Sequence, residues 1–234
     1  MACGARVAVL STGREDAVIE AVDPRATLFQ RASAFRAKII AANATQAAVV
    51  VAAEPSFGDE LLMRMLLAAA RGGMKGIIVL NKVDLVESAV PARERLAPFR
   101  EAGYPVVELS ARASAEPLLG HLRGETTVLT GQSGMGKSTL INQLFPGANA
   151  ATQAISTFLA AGKHTTTASR LYRLDAESAV IDSPGIKEFG LAHLSLADAQ
   201  AAMPELAPYA GLCRFAGCHH ASRSEEHTSE LQSH

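Results

Sequence analysis

A glycine-rich segment that ends in lysine and serine is suited to holding phosphate groups. Residues Gly131 to Ser138 read G-x-x-x-x-G-K-S and lie between an apolar run and a helix-like segment, the context this motif requires. Glycines let backbone N–H groups approach phosphate oxygens, and a helix start adds partial positive charge. In this motif Lys137 reaches the β- and γ-phosphates, and the Ser138 hydroxyl binds Mg²⁺. The predicted nucleotide contacts are Gly131, Gln132, Ser133, Gly134, Met135, Gly136, Lys137, Ser138 and Thr139.

A second motif, N-K-x-D, predicts which base is bound. It follows the apolar run from Gly76 to Leu80, at the carboxyl end of a predicted strand, where ligands bind in open α/β sheets. The Asp84 carboxylate can accept hydrogen bonds from guanine N1–H and the 2-amino group, two donors that adenine lacks. Asn81 and the stem of Lys82 can brace the loop and cover the ring. The predicted base contacts are Asn81, Lys82, Val83 and Asp84, joined by Ser110 and Ala111 after the next strand.

A third motif, D-x-x-G, runs from Asp182 to Gly185 after another apolar strand. Its aspartate is expected to hold Mg²⁺ through water, and the Gly185 N–H to sense the γ-phosphate. The polar run from Gly162 to Thr167 lies between the two phosphate motifs, and its Thr166 can complete the Mg²⁺ shell. A solvated loop is the alternative interpretation of that run.

The position after Gly185 bears on the rate of hydrolysis. A Ras-like enzyme places a glutamine there to orient the attacking water, whereas this chain has Ile186, which cannot hydrogen-bond water. Slow intrinsic turnover is therefore predicted. His164 is a candidate for positioning the water, and an exposed loop histidine is the alternative. The predicted catalytic residues are Lys137, Asp182, Gly185 and His164.

The elements around these motifs alternate between strand and helix. Apolar runs at 47–52, 76–80, 105–109, 126–130, 171–174 and 179–181 predict strands, and helices are predicted at 59–71, 91–102 and 137–145. This alternation predicts an α/β domain with a mainly parallel sheet and helices on both faces. Shorter apolar runs at 6–10 and 17–22 predict a β module that has too few strands to close a barrel.

The order of the motifs is unusual. In Ras-like GTPases the phosphate loop precedes N-K-x-D, whereas here Asn81 to Asp84 precede Gly131 to Ser138. The same sheet can be built by joining the original ends and cutting elsewhere, because a site depends on spatial arrangement. The chain is therefore predicted to be a circularly permuted P-loop GTPase.

With these motifs, the chain resembles the RsgA (YjeQ) family of ribosome small-subunit-dependent GTPases from about residue 5 to 220. The resemblance rests on four segments: 81–85, 131–138, 162–167 and 182–190. It implies an N-terminal OB-fold, a permuted GTPase domain and a C-terminal zinc domain. It also implies GTP hydrolysis that is stimulated by the small ribosomal subunit during its late maturation, with the subunit and its rRNA as partners.

The resemblance divides the chain into four predicted regions. They are a partial OB-like module (1–32), the GTPase domain (33–193), the start of the zinc-binding domain (194–222) and a non-native tail (223–234). The family's zinc ligands map to Cys213, Cys218, His220 and position 226, which is Glu226. Because structural zinc sites normally have four ligands, this site is expected to be incomplete. The tail resembles a translated sequencing-library adapter.

Composition limits the partners and the setting. The formal net charge is −1 and hydrophobic residues make up 48%, so RNA contact would need a local basic patch. The sequence has no apolar stretch of about 20 residues for crossing a bilayer, and no signal peptide is predicted. The three cysteines do not form a disulfide framework. A cytoplasmic monomer with GTP, Mg²⁺ and Zn²⁺ as its cofactors is expected.

Three alternatives to a ribosome-coupled GTPase remain open. Another P-loop enzyme, such as a kinase, would not need N-K-x-D. A non-enzymatic RNA-binding module would depend on the N-terminal β segments, whose basic content is modest. A nucleotide-binding fragment uncoupled from the ribosome would keep the three motifs and lose the stimulation.

Overall fold

The computed structural model describes residues 2–13, 16–33, 36–146 and 169–203. Within these ranges the chain forms ten strands and five helices. The strands are β1 (Val7–Ser11), β2 (Ala17–Val22), β3 (Leu28–Ala32), β4 (Ala37–Ala42), β5 (Gln46–Ala52), β6 (Lys75–Asn81), β7 (Val106–Glu108), β8 (Thr126–Gly131), β9 (Arg170–Arg173) and β10 (Ala179–Asp182). The helices are α1 (Asp59–Arg71), α2 (Val86–Glu101), α3 (Glu116–Leu122), α4 (Lys137–Leu144) and α5 (Leu196–Ala201). None of the described helices has the length and apolar character to cross a membrane.

Six strands form the central sheet, in the order β7-β6-β5-β8-β10-β9. All neighbours pair in parallel except β9, which runs antiparallel to β10 at the edge. Every residue of β5 is buried, as expected for a central strand of a covered parallel sheet. Helix α1 packs against β5 and β6, and α4 against β8. The predicted α/β fold with a mainly parallel sheet is confirmed.

Helix α1 spans the predicted residues, 59–71, whereas the start of α2 differs from the prediction. The N-cap of α1 is Gly58, which has no side chain to cap the helix. Asp59 is the first helical residue, where its negative charge suits the helix dipole. Helix α2 begins at Val86, earlier than predicted, and contains both Pro91 and Pro98.

Two hairpins precede the central sheet. Strands β1 and β2 form one two-stranded sheet, whose large apolar side chains are exposed, with Val9 and Leu10 at 58%. Strands β3 and β4, which were not predicted, form the other, and Phe29 within it is fully buried. The Phe29 ring lies 5.4 Å from that of Phe189. The predicted domain boundary after residue 32 falls in the turn of this second hairpin.

Several predicted site residues lie outside the described ranges. They are His164 and Thr166 in the segment 147–168, and Cys213, Cys218 and His220 in the segment 204–234. The predicted non-native tail, 223–234, also lies there. These predictions therefore stay predictions.

Candidate nucleotide-binding site

The carboxyl ends of four parallel strands bring the three motifs together at one edge of the sheet. Strand β6 ends at Asn81, β8 at Gly131 and β10 at Asp182, and the chain reaches Ser110 two residues after β7. Ligands bind at this edge in open α/β sheets. The permuted order therefore leaves the motifs in one place.

The phosphate loop between β8 and α4 depends on its glycines. Gly131, Gly134 and Gly136 have φ values of +145°, +86° and +92°, which L side chains rarely adopt. A Cβ at Gly131 would lie 2.2 Å from the Val50 carbonyl oxygen, and one at Gly136 would lie 2.2 Å from Asn81 Nδ2. The loop therefore requires glycine both for its backbone conformation and for its close contacts.

Lys137 lies at the start of α4 with its ammonium group turned back into the loop. It is buried, and its Nζ donates to the carbonyl oxygens of Gly131 (2.7 Å) and Gln132 (2.9 Å). Burial lowers the pKa of Lys137 to about 8, and the negative charge of Asp182 opposes that shift. The ammonium group can exchange these two carbonyl partners for phosphate oxygens. The negative charge of the phosphates would then favour the protonated form of Lys137, which burial disfavours.

Asp182 provides the opposite charge. Burial raises the pKa of its carboxyl group to about 6, and the positive charge of Lys137 opposes that shift. Ser138 and Thr139 are exposed at the start of α4. A hydroxyl and a carboxylate with little water are oxygen ligands of the kind that Mg²⁺ prefers. No cluster of three or more His, Cys, Asp or Glu side chains suited to a metal occurs among the described residues.

Asn81 links the base-recognition segment to the phosphate loop. Its Nδ2 donates to the Met135 carbonyl oxygen at 2.9 Å. Its Oδ1 accepts from the backbone N–H groups of Lys82 and Ala111, each at 2.8 Å. One buried amide therefore fixes three loops relative to one another, and only an amide offers both a donor and an acceptor in this geometry.

Lys82 and Asp84 are held differently. Lys82 has a φ of +62°, and its Nζ donates to the carbonyl oxygens of Glu54 (2.7 Å) and Gly134 (3.0 Å). Asp84 is exposed. A hydrogen bond from the Ser110 side chain lowers the pKa of the Asp84 carboxyl, and the positive charges of Arg112 and Lys82 add to this effect. An ionised, accessible carboxylate can accept the two donors of a guanine edge.

The D-x-x-G segment lies against the phosphate loop. Ile186 N–H donates to the Gly131 carbonyl oxygen at 3.1 Å, and Gln132 and Ile186 form an isolated parallel bridge. A Cβ at Gly185 would lie 3.3 Å from Ser133 Cα. The Ile186 side chain is buried. The arrangement therefore leaves a close approach between Gly185 and the loop, and offers no polar side chain at position 186.

The structure brings together all the described residues that the sequence singled out. Sequence reasoning missed the segment 53–58, which follows β5 at the same edge. It missed the segment because the contacts are made by the Glu54 carbonyl and the Pro55 ring, which lies 3.7 Å from a Cβ built at Gly134. Every residue has a backbone carbonyl, so the sequence does not indicate which carbonyl makes a contact. Its position after a buried strand was the one available signal.

A cavity of about 670 Å³ lies at the opposite edge of the sheet. Its lining includes Lys75, His121, Arg123 and Glu125, and Lys75 Nζ already pairs with Glu125 at 2.7 Å. None of the predicted nucleotide contacts lines it. This cavity is therefore separate from the candidate site.

Comparisons with known proteins agree with the geometry. The RsgA GTPase family matches residues 22–192. The small ribosomal subunit biogenesis GTPase RsgA of Burkholderia mallei (strain SAVP1) is 48% identical over 225 residues, covering 94% of this chain and 71% of the relative. The protein of that name from Nitrosospira multiformis is 48% identical over 220 residues, covering 94% of this chain and 70% of the relative.

Two solved structures share the fold. YjeQ from Thermotoga maritima superposes with a TM-score of 0.73 at 25% identity, covering 99% of this chain and 78% of that one. YloQ, described as a circularly permuted GTPase, gives a TM-score of 0.67 at 23% identity, covering 98% of this chain and 75% of that one. With its motifs in permuted order along the same sheet, this chain belongs to the RsgA GTPase family.

Proposed function

We propose that this chain hydrolyses GTP to GDP and phosphate and assists late maturation of the small ribosomal subunit. The observation that carries the proposal is the link through Asn81, which ties a guanine-type carboxylate loop to a phosphate loop. Relatives of 48% identity that bear the name small ribosomal subunit biogenesis GTPase support the biological role.

The nucleotide lies along one edge of the sheet in this proposal. The guanine contacts Asn81 to Asp84 and the Ser110–Ala111 loop, and its edge donates to Asp84. The phosphates occupy the loop from Gly131 to Thr139, where backbone N–H groups and Lys137 surround them. The base and phosphate subsites are adjacent because Asn81 joins them directly.

The donors present fit Mg²⁺. When bound, Mg²⁺ would neutralise charge on the β- and γ-phosphate oxygens. Ser138 and Asp182 would hold it, and Thr166 would complete the set. The raised pKa of Asp182, about 6, supports this role, because burial penalises the lone carboxylate and a cation would relieve that penalty.

Hydrolysis by this chain alone is proposed to be slow. The buried Ile186 side chain cannot orient water, so the Gly185 N–H and Lys137 stabilise charge on the phosphates without a positioned nucleophile. His164 is the proposed water-positioning residue. Binding of the small subunit would bring the switch segments into a productive arrangement and so stimulate turnover.

The flanking regions are proposed to contact the subunit. They are the OB-like module, 1–32, which would contact rRNA, and the start of a zinc-binding domain, 194–222, with Cys213, Cys218 and His220 as ligands. Glu226 stands where the family has its fourth ligand, so weak zinc binding is expected. A monomer in the cytoplasm, away from membranes, fits these partners.

The test is GTP hydrolysis by this chain with and without small ribosomal subunits, with ATP as the control nucleotide. Slow, GTP-selective turnover that rises sharply with the subunit is expected, and a Lys137→Ala variant should be inactive in both conditions. Turnover of GTP without stimulation would retain the chemistry and reject ribosome coupling, leaving an uncoupled fragment. Equal turnover of ATP and GTP would reject the proposed base recognition.

A further inference from the structure

Arg95 lies on α2 and makes several polar contacts with the segment that precedes α1. It donates to Ser56 Oγ at 2.6 Å, to the Phe57 carbonyl oxygen at 2.5 Å and to Asp59 Oδ1 at 2.7 Å. Its guanidinium group also lies over the Phe57 ring, 4.3 Å from the centroid. This arginine therefore holds both the end of the segment 53–58 and the start of α1.

The other end of that segment touches the candidate nucleotide site. Ala53 N–H donates to the Asn81 carbonyl oxygen at 3.0 Å. The Glu54 carbonyl oxygen accepts from Lys82 Nζ at 2.7 Å, and Lys82 Nζ also donates to Gly134 O at 3.0 Å. The segment 53–58 is thus one wall of the junction between the base and phosphate loops.

We propose that Arg95 is a positioning residue for the nucleotide site, acting through the segment 53–58 on Lys82. The inference rests on the proposed function. Arg95 fixes Ser56 and Phe57, and because only Pro55 lies between Glu54 and Ser56, the Glu54 carbonyl has little freedom. Lys82 is then held beside Gly134, where its stem is in place to cover the guanine ring before the nucleotide arrives.

The planar guanidinium group is what this position requires. Three acceptors and an aromatic face surround Arg95, and only an arginine can donate to several acceptors in one plane while stacking on a ring. A lysine would retain the charge and much of the stem but lose the fork. The Arg95 side chain is 34% exposed, so water can replace the contacts that a substitution removes without unfolding the domain.

The test is equilibrium binding of GDP, with kcat for GTP measured at saturation. We expect Arg95→Ala to raise Kd for GDP roughly tenfold while kcat changes by less than about twofold. Arg95→Lys should weaken binding similarly, with a smaller loss of thermal stability. The matched control is Arg64→Ala, which removes an exposed arginine paired with Glu60 on α1 and should leave Kd unchanged.

A double-mutant cycle with Lys82→Ala separates positioning from general stability. If Arg95 acts through Lys82, the double variant should bind GDP as weakly as Lys82→Ala alone. Additive losses, or a lower melting temperature of Arg95→Ala with an unchanged Kd, would overturn the inference. Failure of the parent chain to bind GDP would instead reject the proposed function, and with it this inference.

Discussion

At the scale of single residues, the Asp84 carboxylate, which is proposed to recognise the base, lies exposed beside the Ser110 loop. Ser110 and two positive charges lower the pKa of Asp84, so the group remains ionised at neutral pH. An ionised carboxylate can only accept hydrogen bonds. The side chain therefore matches an edge that offers two donors and mismatches one that offers an acceptor.

We predict that Asp84→Asn weakens GDP binding by roughly 100-fold. The amide places its own donor opposite a guanine donor. Xanthosine diphosphate has a carbonyl oxygen in place of the 2-amino group, so its affinity should rise in the same variant. Competition binding with both nucleotides measures the exchange, and Glu87→Gln, an exposed change on α2, is the control. Equal losses for both nucleotides would contradict this base contact.

We predict that Lys137 makes stability depend on pH in the absence of nucleotide and Mg²⁺. Its pKa of about 8 in the folded state is below that of an unfolded lysine, so the unfolded chain binds more protons between pH 8 and 10. Stability contributed by this group should therefore rise with pH across that window.

Urea unfolding at pH 8 and pH 10 measures this rise. It should be smaller in Lys137→Met and unchanged in Lys75→Met, which removes a lysine whose side chain is 72% exposed. If Lys137→Met kept the full rise, the lysine would not be the titrating group.

Sequence reasoning found these two residues because their spacing from glycines and buried strands is itself the signal. It did not find Arg95 or the role of the Glu54 carbonyl. Arg95 donates to Ser56, to the Phe57 carbonyl oxygen and to Asp59, and the Glu54 carbonyl oxygen accepts from Lys82. These partners are distant along the chain, so no local residue pattern indicates the contacts. Asn81 was expected to brace its own loop, and its bond to Met135 could only be seen once the strands were aligned.

At the scale of elements, the turn before α4 combines strain with a close contact. Gly136 and Gly103 have nearly equal φ values, +92° and +91°. A Cβ at Gly136 would collide with Asn81 Nδ2, whereas one at Gly103 would meet nothing within 4 Å. The two positions therefore separate backbone strain from steric clash.

We predict that Gly103→Ala costs about 1 kcal/mol of unfolding free energy through strain alone and leaves GDP affinity intact. Gly136→Ala should cost more and should also abolish GDP binding, because Asn81 would be displaced from Met135. Chemical denaturation and GDP binding of the two variants measure both effects. Equal destabilisation with unchanged binding would show that the contact at Gly136 is unimportant.

The elements that the sequence predicted are those with long apolar runs. Strands β5, β6 and β8 are buried throughout or nearly so, and strands covered on both faces are rich in apolar residues rather than alternating. Strand β4 begins with the exposed Ala37 and Lys38, and β3 contains Gln30 and Arg31, so neither shows a continuous run. Helix α3 has only seven residues, too few to establish a helical period.

At the scale of the whole molecule, the second hairpin belongs to the same packed unit as the central sheet. Phe29 is part of the main hydrophobic core and contacts Phe189 beyond the last sheet strand. Arg31 Nη1 also donates to the Glu188 carbonyl oxygen at 2.7 Å. The hairpin therefore joins residues that are far apart in sequence.

We predict that Phe29→Ala lowers the unfolding free energy by about 3 to 5 kcal/mol, with one cooperative transition retained. Val9→Ala, at a 58% exposed position in β1, should change it by less than about 0.5 kcal/mol. Thermal unfolding followed by circular dichroism and by tyrosine fluorescence measures both. Two separated transitions in the parent chain, with Phe29→Ala shifting only one of them, would show that the β3–β4 hairpin unfolds independently of the sheet.

The central sheet consists of two halves that follow one another along the chain. Strands β5 to β7 make one half, and β8 to β10 make the other, with β5 beside β8 at the centre. The base-recognition segment follows β6 in the first half, and both phosphate motifs belong to the second. Besides the β5–β8 ladder, Gln46 Nε2 bonds Thr127 Oγ1 at 2.9 Å, and Asn81 bonds Met135.

That division has a consequence for biosynthesis. A growing chain leaves the ribosome from its amino terminus and is synthesised at about 5 to 20 residues per second. Strands β5 to β7, which lie next to one another and include the strand before the proposed guanine-recognition segment, are therefore complete before β8 is made, and one edge of β5 stays unpaired until then. In the unpermuted order the phosphate loop would emerge first. With the proposed site, we expect a nascent chain to gain its affinity for nucleotide only when the second half is added to that edge.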